Sequence, residues 1–126
     1  WAGDLPPPAG AANVADVSAR AFLGDILYDY DDRYPLTAPV GSFGANQHGL
    51  FDLAGNVAEW VHDYYGSAGT LGVERDPLGP SAGQFRVIRG SSWAHGSITE
   101  LRLSFRDFGE EPRDDVGFRV ARYLGE

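Results

Sequence analysis

The sequence predicts an α+β fold, in which a small antiparallel sheet is combined with few short helices and much irregular chain. Three segments in the last third of the chain alternate apolar with polar residues, as half-buried strands do. The 17 glycines and 8 prolines are spread along the chain and favour turns over long helices. With 126 residues, of which 43% are hydrophobic, the chain is long enough to bury one core. We therefore expect a single domain over residues 1–126.

The charge and the cysteine content exclude several classes of function. The chain has 18 acidic residues against 10 Lys and Arg, a formal net charge of −8, which disfavours a nucleic-acid partner. An acidic surface suits cation binding, solubility or a salty environment, and composition does not distinguish these. Because cysteine is absent, the chain has no disulfide, no thiolate metal ligand and no thiol nucleophile. No apolar run approaches the roughly 20 residues of a membrane-spanning helix, so we expect no membrane span in this chain.

The first third of the chain predicts loops with little regular structure. Consecutive prolines at positions 6–8 favour an extended arm on the surface. The apolar spacing between Ala11 and Leu27 predicts one short helix at most, ending near Gly24. The next predicted loop holds three crowded carboxylates, on Asp29, Asp31 and Asp32. Such crowding is costly unless water or a cation neutralises it, and the sequence leaves both alternatives open.

Residues 49–60, GLFDLAGNVAEW, mix large apolar side chains with carboxylate and amide oxygens. Gly55 allows a tight turn there because glycine tolerates positive φ. From Asn56 onward the apolar residues follow helical periodicity for about two turns, and Gly66 stands where such a helix would end. We therefore predict a helix that begins at Asn56, followed by a long glycine-rich loop over residues 67–84.

Strands are predicted in the remaining chain, over Phe85–Trp93, Leu101–Phe108 and Gly117–Tyr123, and we expect them to pair as one antiparallel sheet. The connecting loops, residues 94–100 and 109–116, are polar and are expected to project from the end of that sheet. The strands also carry Arg86, Arg89, Arg102, Arg106, Arg119 and Arg122. These arginines either form an anion pocket or, as we favour, pair with acids such as Glu59, Asp107, Asp114 and Asp115.

Several segments together resemble the formylglycine-generating enzyme, or sulfatase-modifying factor, family. They are GLFDLAGNVAEW, RVIRGSSW, LRLSFRD and GFRVAR, in this order and spacing, with TAPVGSF at Thr37–Phe43 and the WAGD opening as further matches. The resemblance covers Trp1–Tyr123. It implies a C-type-lectin-like fold with a small twisted antiparallel sheet and much irregular chain. It also implies that these residues correspond to the C-terminal part of the family's domain, with the upstream half expected to be a separate piece or missing.

The resemblance also implies two calcium sites, and both consist of the oxygen ligands that a hard cation requires. The first comprises the side chains of Asp52 and Glu59 and the carbonyls of Gly55 and Val57. The second comprises the side chains of Asn13 and Asp32 and the carbonyls of Val14 and Tyr34. The alternative at the first site is a capping box between Asn56 and Glu59, which is compatible with a cation nearby. The alternative at the second is a solvated acidic surface.

Copper is not expected in this chain. The enzyme that names the family binds copper(I) through two cysteines that follow its RGGS-aromatic motif, because soft thiolates suit that ion. The corresponding positions here are His95 and Glu100. Since neither residue supplies a thiolate, we predict that the chain does not make formylglycine.

The resemblance places a ligand pocket at the end of the sheet, beside Trp93, His95, Glu100 and Asp107, and we predict a ligand-binding surface there. An iron site like that of the related sulfoxide synthases is disfavoured within this chain, because its histidines, at positions 48, 62 and 95, are not closely spaced. The simpler interpretation makes His48 a turn residue, His62 a residue on the polar side of the predicted helix, and His95 an exposed loop residue.

Two hypotheses for the function follow. The first is a non-catalytic binding or assembly module, stabilised by calcium, that presents loops 94–100 and 109–116 to a protein or other ligand. One form of it is a retroelement-diversified ligand-binding protein, since such proteins end in a similar GFRVAR. The alternative is part of a metal-dependent, oxygen-using enzyme whose metal ligands lie in the upstream half. We expect a protein partner or the upstream half as a partner, and an extracytoplasmic location, while the oligomeric state stays open.

Overall fold

Regular structure is sparse in this protein. The structure is a computed structural model that describes residues 5–66, 77 and 79–122. Within these residues it contains one 3-10 helix, Val17–Ala19, and four strands: β1 (Ala58–Tyr64), β2 (Arg86–Arg89), β3 (Arg106–Gly109) and β4 (Val116–Gly117). The WAGD opening, most of the predicted loop 67–84 and the end of the last predicted strand lie outside the described residues. The rest of the described chain is irregular, as the glycine and proline content predicts.

The four strands form one mixed sheet in the order β3-β2-β1-β4. β1 and β2 pair antiparallel with Trp60 opposite Ile88, and β2 and β3 pair antiparallel with Ile88 opposite Asp107. β4 runs parallel to β1, with Ala58 opposite Val116. The expected purely antiparallel sheet is therefore wrong. The loop after β3 crosses to the opposite edge of the sheet, and β4 there runs in the same direction as β3 and β1.

The helix predicted after Asn56 is wrong, since this segment is β1. Gly55 and Asn56 have φ values of 83° and 65°, so the backbone enters the segment from the left-handed region and not through a helix start. Aromatic and β-branched residues then suit a strand that pairs on both of its sides. The capping box does not form either, because the Asn56 amide accepts from Ala38 N at 3.0 Å and donates to Ala38 O at 3.2 Å.

Two of the predicted strands, 85–93 and 101–108, are placed correctly but are shorter than predicted. β2 lies inside residues 85–93 and ends where Gly90 adopts a φ of 80°. β3 includes only the last three residues of the predicted strand 101–108, because the preceding residues turn so that the carbonyls of Leu103 and Ser104 accept from the Arg89 guanidinium. Of the predicted strand 117–123, only Gly117 is strand within the described residues, and Phe118 is 75% exposed.

The core lies between the irregular N-terminal segment and the segment that follows β2. Buried apolar contacts join Ala12, Val14, Tyr30 and Leu101. The backbone of Ala15 donates to His95 O at 3.0 Å, and Asn56 N donates to Asn13 O at 2.8 Å. A Cβ atom on Gly55 would lie 2.1 Å from Asn13 O, so only glycine allows this approach. The irregular chain is thus held by long-range backbone hydrogen bonds.

Candidate functional site

The loops that follow β2 and β3 are joined by one hydrogen-bonded network. Ser92 Oγ donates to Asp115 Oδ2 at 3.0 Å, and Ser92 N donates to His95 Nδ1 at 3.1 Å. Arg113 donates to both oxygens of Asp115 at 2.9 Å and to Asp107 Oδ2 at 2.6 Å. The network therefore joins two of the four predicted ligand-surface residues, His95 and Asp107, through Ser92, Arg113 and Asp115, of which the sequence analysis named only Asp115.

Arg113 and Asp115 form a strong pair at the centre of this network. Burial raises the pKa of Asp115, but hydrogen bonds from Arg113 and Ser92 outweigh burial and hold that pKa below its ordinary value. The bond to Asp115 raises the pKa of Arg113, and burial opposes this. In the sequence, only the spacing of Arg113 and Asp115, two residues apart, indicates this ion pair. Nothing in the sequence shows that Arg113 also binds Asp107.

His95 is buried, with 8% of its surface exposed, so the expectation of an exposed loop residue is wrong. The backbone bond from Ala15 to His95 O draws the loop inward. His95 Nε2 lies 4.0 Å from Glu100 Oε1 and 4.0 Å from Asp115 Oδ2, and its ring packs edge-on against Phe105. The residues at the two positions that correspond to the family's copper-binding cysteines thus face each other.

The hydrogen bonds of His95 disfavour a metal at this position. Its Nδ1 accepts the Ser92 N–H, so the neutral ring carries its proton on Nε2. A nitrogen that carries a proton has no lone pair for a metal ion. Nor do oxygen and imidazole ligands suit copper(I). The residues present do not fit the family's copper site.

Glu100 serves the local backbone. Its Oε2 accepts from Ser97 Oγ at 2.7 Å and from Ser97 N at 3.2 Å, while Glu100 N donates to Ser97 Oγ at 3.3 Å. This reciprocal arrangement is a capping box, and the Ser-x-x-Glu spacing at positions 97–100 is a sequence signal that could have found it. Only Oε1 is left to face His95.

Trp93 follows Ser92 in this network, and its indole N–H has no hydrogen-bond acceptor among the described residues. Its backbone N donates to Asn56 O at 2.9 Å, whereas its indole Nε1 is buried without a hydrogen-bond partner in the described part of the chain. An unpaired buried N–H is unfavourable unless a ligand or water supplies an acceptor. Trp93 is half-buried, so the indole is still partly accessible.

At the first predicted cation site, the carboxylate of Glu59 is already bound by an arginine. Arg119 Nε donates to Glu59 Oε1 at 2.9 Å and to Oε2 at 2.8 Å, and Arg119 Nη2 also donates to Glu59 Oε1. The bond to Glu59 raises the pKa of Arg119. Asp52 Oδ2 accepts from Gly41 N at 2.8 Å, and Asp52 Oδ1 is buried with no partner among the described residues. The predicted pairing of an arginine with Glu59 is confirmed.

At the second predicted cation site, the side chains of Asn13 and Asp32 are buried, and Asp32 has no basic partner among the described residues. Asn13 Nδ2 donates to Leu36 O at 2.7 Å, and Asn13 Oδ1 is buried and unpartnered within the described residues. Asp32 accepts from the backbone N–H groups of Val14 and Tyr34, each at 2.8 Å. Burial raises the pKa of Asp32 to about 6, although these two hydrogen bonds lower it. An orphaned amide oxygen beside a buried carboxylate fits a hard cation.

Asp16 completes this second cluster and was missed in the sequence. It is fully buried, and its carboxylate accepts from Asp32 N, from Ser18 N at 2.8 Å and from Ser18 Oγ at 2.6 Å. Among the described residues, no ion pair to Asp16 or Asp32 is found. No three acidic or histidine side chains converge on one point in this part of the chain, so a cation would depend on backbone carbonyls for many of its ligands.

The arginines do not form an anion pocket in the described residues. Arg86 donates to His62 O and stacks 3.6 Å above the Tyr64 ring, and Arg106 donates to Gly66 O and stacks over Tyr65. These guanidinium groups are engaged by carbonyls and aromatic rings of the strands. Their role is structural.

No helix in the described part of the chain is long and apolar enough to cross a membrane.

Comparison with known proteins places these features in a family. Residues 5–124 match the sulfatase-modifying factor enzyme 1-like domain. The chain is 38% identical over 100 residues to the formylglycine-generating enzyme of Streptomyces coelicolor, covering 72% of this chain and 31% of that protein. It is 45% identical over 91 residues to the serine/threonine-protein kinase pkn1 of Chlamydia caviae, covering 68% of this chain and 15% of the kinase. It is also 33% identical over 102 residues to the inactive C-alpha-formylglycine-generating enzyme 2 of Mus musculus, covering 75% and 29% of the two chains.

Solved structures support the same fold. PvdO from Pseudomonas aeruginosa superposes with a TM-score of 0.62 at 27% identity, covering 94% of this chain and 42% of that one. Treponema denticola variable protein 1 superposes with a TM-score of 0.59 at 36% identity, covering 66% and 31%. The chain spans less than a third of the length of the three curated relatives named above. Since the family match extends over nearly all of its residues, the chain belongs to the sulfatase-modifying factor enzyme 1-like, or formylglycine-generating enzyme-like, domain family.

Proposed function

We propose that this chain is a non-catalytic, calcium-stabilised binding module that presents loops 94–100 and 109–116 to a protein partner. One observation carries the proposal: His95 and Glu100, where the family's enzyme has its copper-binding cysteines, supply no thiolate and are each hydrogen-bonded to their own loop, His95 to Ser92 and Glu100 to Ser97. The inactive relative in Mus musculus supports the idea that the family includes members without the activity.

The rigidity of the two loops supports a binding role. Arg113 ties Asp107 in β3 to Asp115 just before β4, which anchors the loop 109–116 on the sheet. Ser92, which precedes the loop 94–100, donates to the same Asp115 and links the two segments. Their tips carry an exposed apolar side chain, Ile98, and exposed acids at positions 110, 111 and 114. Such tips suit a partner that offers an apolar pocket with basic residues around it.

The absence of catalysis is tested directly. The purified protein is incubated with copper and a peptide that contains a sulfatase-type cysteine, and the peptide is analysed by mass spectrometry. We expect unmodified cysteine. The aldehyde product would overturn the proposal.

Binding by the loops is tested with an array of basic and acidic peptides at about 150 mM salt, where distant charges are screened. We expect basic peptides that contain apolar residues to bind, and binding to be lost in the double variant Ile98→Ser and Glu111→Lys. The matched control, Phe22→Ser and Asp29→Lys, changes exposed residues elsewhere and should keep binding. Equal binding by both variants would count against the loops.

Calcium is proposed at the cluster formed by Asn13, Val14, Asp32 and Tyr34. A bound calcium ion would supply charge that neutralises the buried carboxylates and accept the unpartnered Asn13 Oδ1 as a ligand. At a hundredfold excess over its dissociation constant it should raise the melting temperature by on the order of 10 °C relative to chelator. Asp32→Ala should abolish the shift, whereas Asp31→Ala, which removes the adjacent exposed carboxylate, should keep it. Identical melting in calcium and chelator would refute calcium binding.

The alternative is an oxygen-using enzyme whose metal ligands lie in an upstream half. It is favoured by one feature, the buried indole Nε1 of Trp93, which is an open donor beside the predicted pocket. Metal analysis of the longest protein that the gene encodes distinguishes the two functions. Stoichiometric iron or copper would favour the enzyme, and calcium alone the binding module. We further propose an extracytoplasmic location and a protein partner or upstream half, which cell fractionation and co-purification with that half would test.

A further inference from the structure

Arg119 binds one of the ligands that the family resemblance implies for a calcium ion, the Glu59 carboxylate. Besides the Glu59 carboxylate, its Nη2 donates to Phe51 O at 3.1 Å and to Asp52 O at 3.4 Å. The guanidinium therefore binds a carboxylate and two backbone carbonyls, which are the classes of oxygen that calcium prefers. The segment that contains Glu59 already holds a permanent positive charge.

We propose that Arg119 supplies the cation of this segment, so that the chain binds calcium at the Asn13–Asp32 cluster and not at the Asp52–Glu59 site. The number of calcium ions bound per chain rests on the proposed function, whereas the role of Arg119 has a test of its own. The guanidinium already uses both oxygens of Glu59. A divalent ion would have to share that carboxylate with a fixed positive charge beside it, and the repulsion would weaken its binding.

The contrast between the two sites supports this assignment. Asp16 and Asp32 are both buried and have no ion pair to a basic residue in the described part of the chain. Their cluster therefore has no positive charge of its own among these residues, whereas the Glu59 segment has the Arg119 guanidinium. One feature argues the other way: Asp52 Oδ1 is buried and unpartnered, and a calcium ion bound next to Arg119 could use it.

Calcium titration calorimetry decides between the two arrangements, on the wild type, three single variants (Arg119→Ala, Arg119→Lys and Glu59→Gln) and one double variant. We expect one calcium ion in the wild type, two in Arg119→Ala, and one again in the double variant Arg119→Ala with Glu59→Gln. Arg119→Lys keeps a positive charge and should stay at one. Melting curves serve as the second readout, since calcium should restore the stability lost in Arg119→Ala but not in the double variant.

The outcomes separate this inference from the proposed function. Two ions in the wild type, of which Glu59→Gln removes one, would overturn the role of Arg119. Failure of Arg119→Ala to gain a site, or to recover its melting temperature in calcium, would overturn it as well. No ion in the wild type would refute calcium at the Asn13–Asp32 cluster, while a site gained in Arg119→Ala would still support Arg119 as the built-in cation.

Discussion

Single side chains decide whether the loop 109–116 stays on the sheet, and Arg113 is the clearest example. Arg113→Gln removes the charged partner of Asp115 and of Asp107. Because Asp115 is buried while Arg113 is about one third exposed, we expect the loss to be about 2 kcal/mol in the free energy of unfolding, below the value for a fully buried pair. Urea denaturation measures it.

The matched control is Arg102→Gln. Arg102 is exposed and donates only to Thr99 O, at 3.4 Å, within the described residues. Its replacement should change the unfolding free energy by less than about 0.5 kcal/mol. Equal losses in both variants would show that Arg113 has no special role.

The lowered pKa of Asp115 predicts how stability depends on pH. Since the folded pKa lies below the ordinary value of 3.8, this group adds stability that is fully present above pH 3.8 and is lost as the pH falls through the folded pKa. Asp115→Asn should therefore flatten the acid side of the stability curve. Denaturation between about pH 2 and pH 6 in chelator, compared between variant and wild type, checks it.

The variant must be compared with the wild type because Asp32 changes the stability in the opposite direction as the pH falls. Its raised pKa adds stability below pH 3.8 that is lost as the pH rises through about 6. This contribution is present in both proteins and cancels in the difference. If Asp115→Asn lost stability at low pH as steeply as the wild type, Asp115 would not be the group responsible.

Gly55→Ala tests the close approach between two distant segments. The added Cβ would lie 2.1 Å from Asn13 O at a φ of 83°, so the backbone must move. We expect a loss of about 3 kcal/mol or more, seen as a lower melting temperature or as failure to fold. Gly44→Ala, where a Cβ meets nothing within 4 Å, should melt like the wild type. A variant of Gly55 that melts normally would contradict the approach.

At the scale of elements, β2 anchors the sheet. Ile88 is 1% exposed, and it pairs with Trp60 of β1 and Asp107 of β3. Ile88→Ala should cost about 2–4 kcal/mol because it leaves a cavity between strands. Val120→Ala, at a residue that is 87% exposed, is the control and should cost little. Similar melting temperatures for the two variants would place the core elsewhere.

Elements were predicted with uneven success, and β1 explains why. Apolar residues at 57, 60, 61 and 64 match a helix, yet a central strand that is partly buried on both faces presents the same spacing. Pairing with β2 and β4 decided the outcome, and pairing with distant strands is not visible in a local pattern. Alternation located β2 and β3 correctly, but their ends depend on Gly90 and on the guanidinium of Arg89, whose tertiary contacts no local rule contains.

For the whole molecule, the family could be recognised from the sequence because its segments keep their order and spacing. The candidate site could be recognised only in part. His95 and Asp107 were named, but Ser92, Arg113 and Asp115 connect them through contacts between residues up to 23 positions apart. The buried position of His95 and the Arg119 bond to Glu59 likewise depend on chain segments that meet only in the folded molecule.

The Arg113 link also makes this chain a candidate scaffold for protein engineering. Since the frame of both loops is fixed by Ser92, Asp107, Arg113 and Asp115, their exposed tips bear little of the folding free energy. A combinatorial library that randomises positions 98, 99, 110, 111 and 114 should therefore remain largely folded, and selection from it could yield binders to targets that the natural protein never meets.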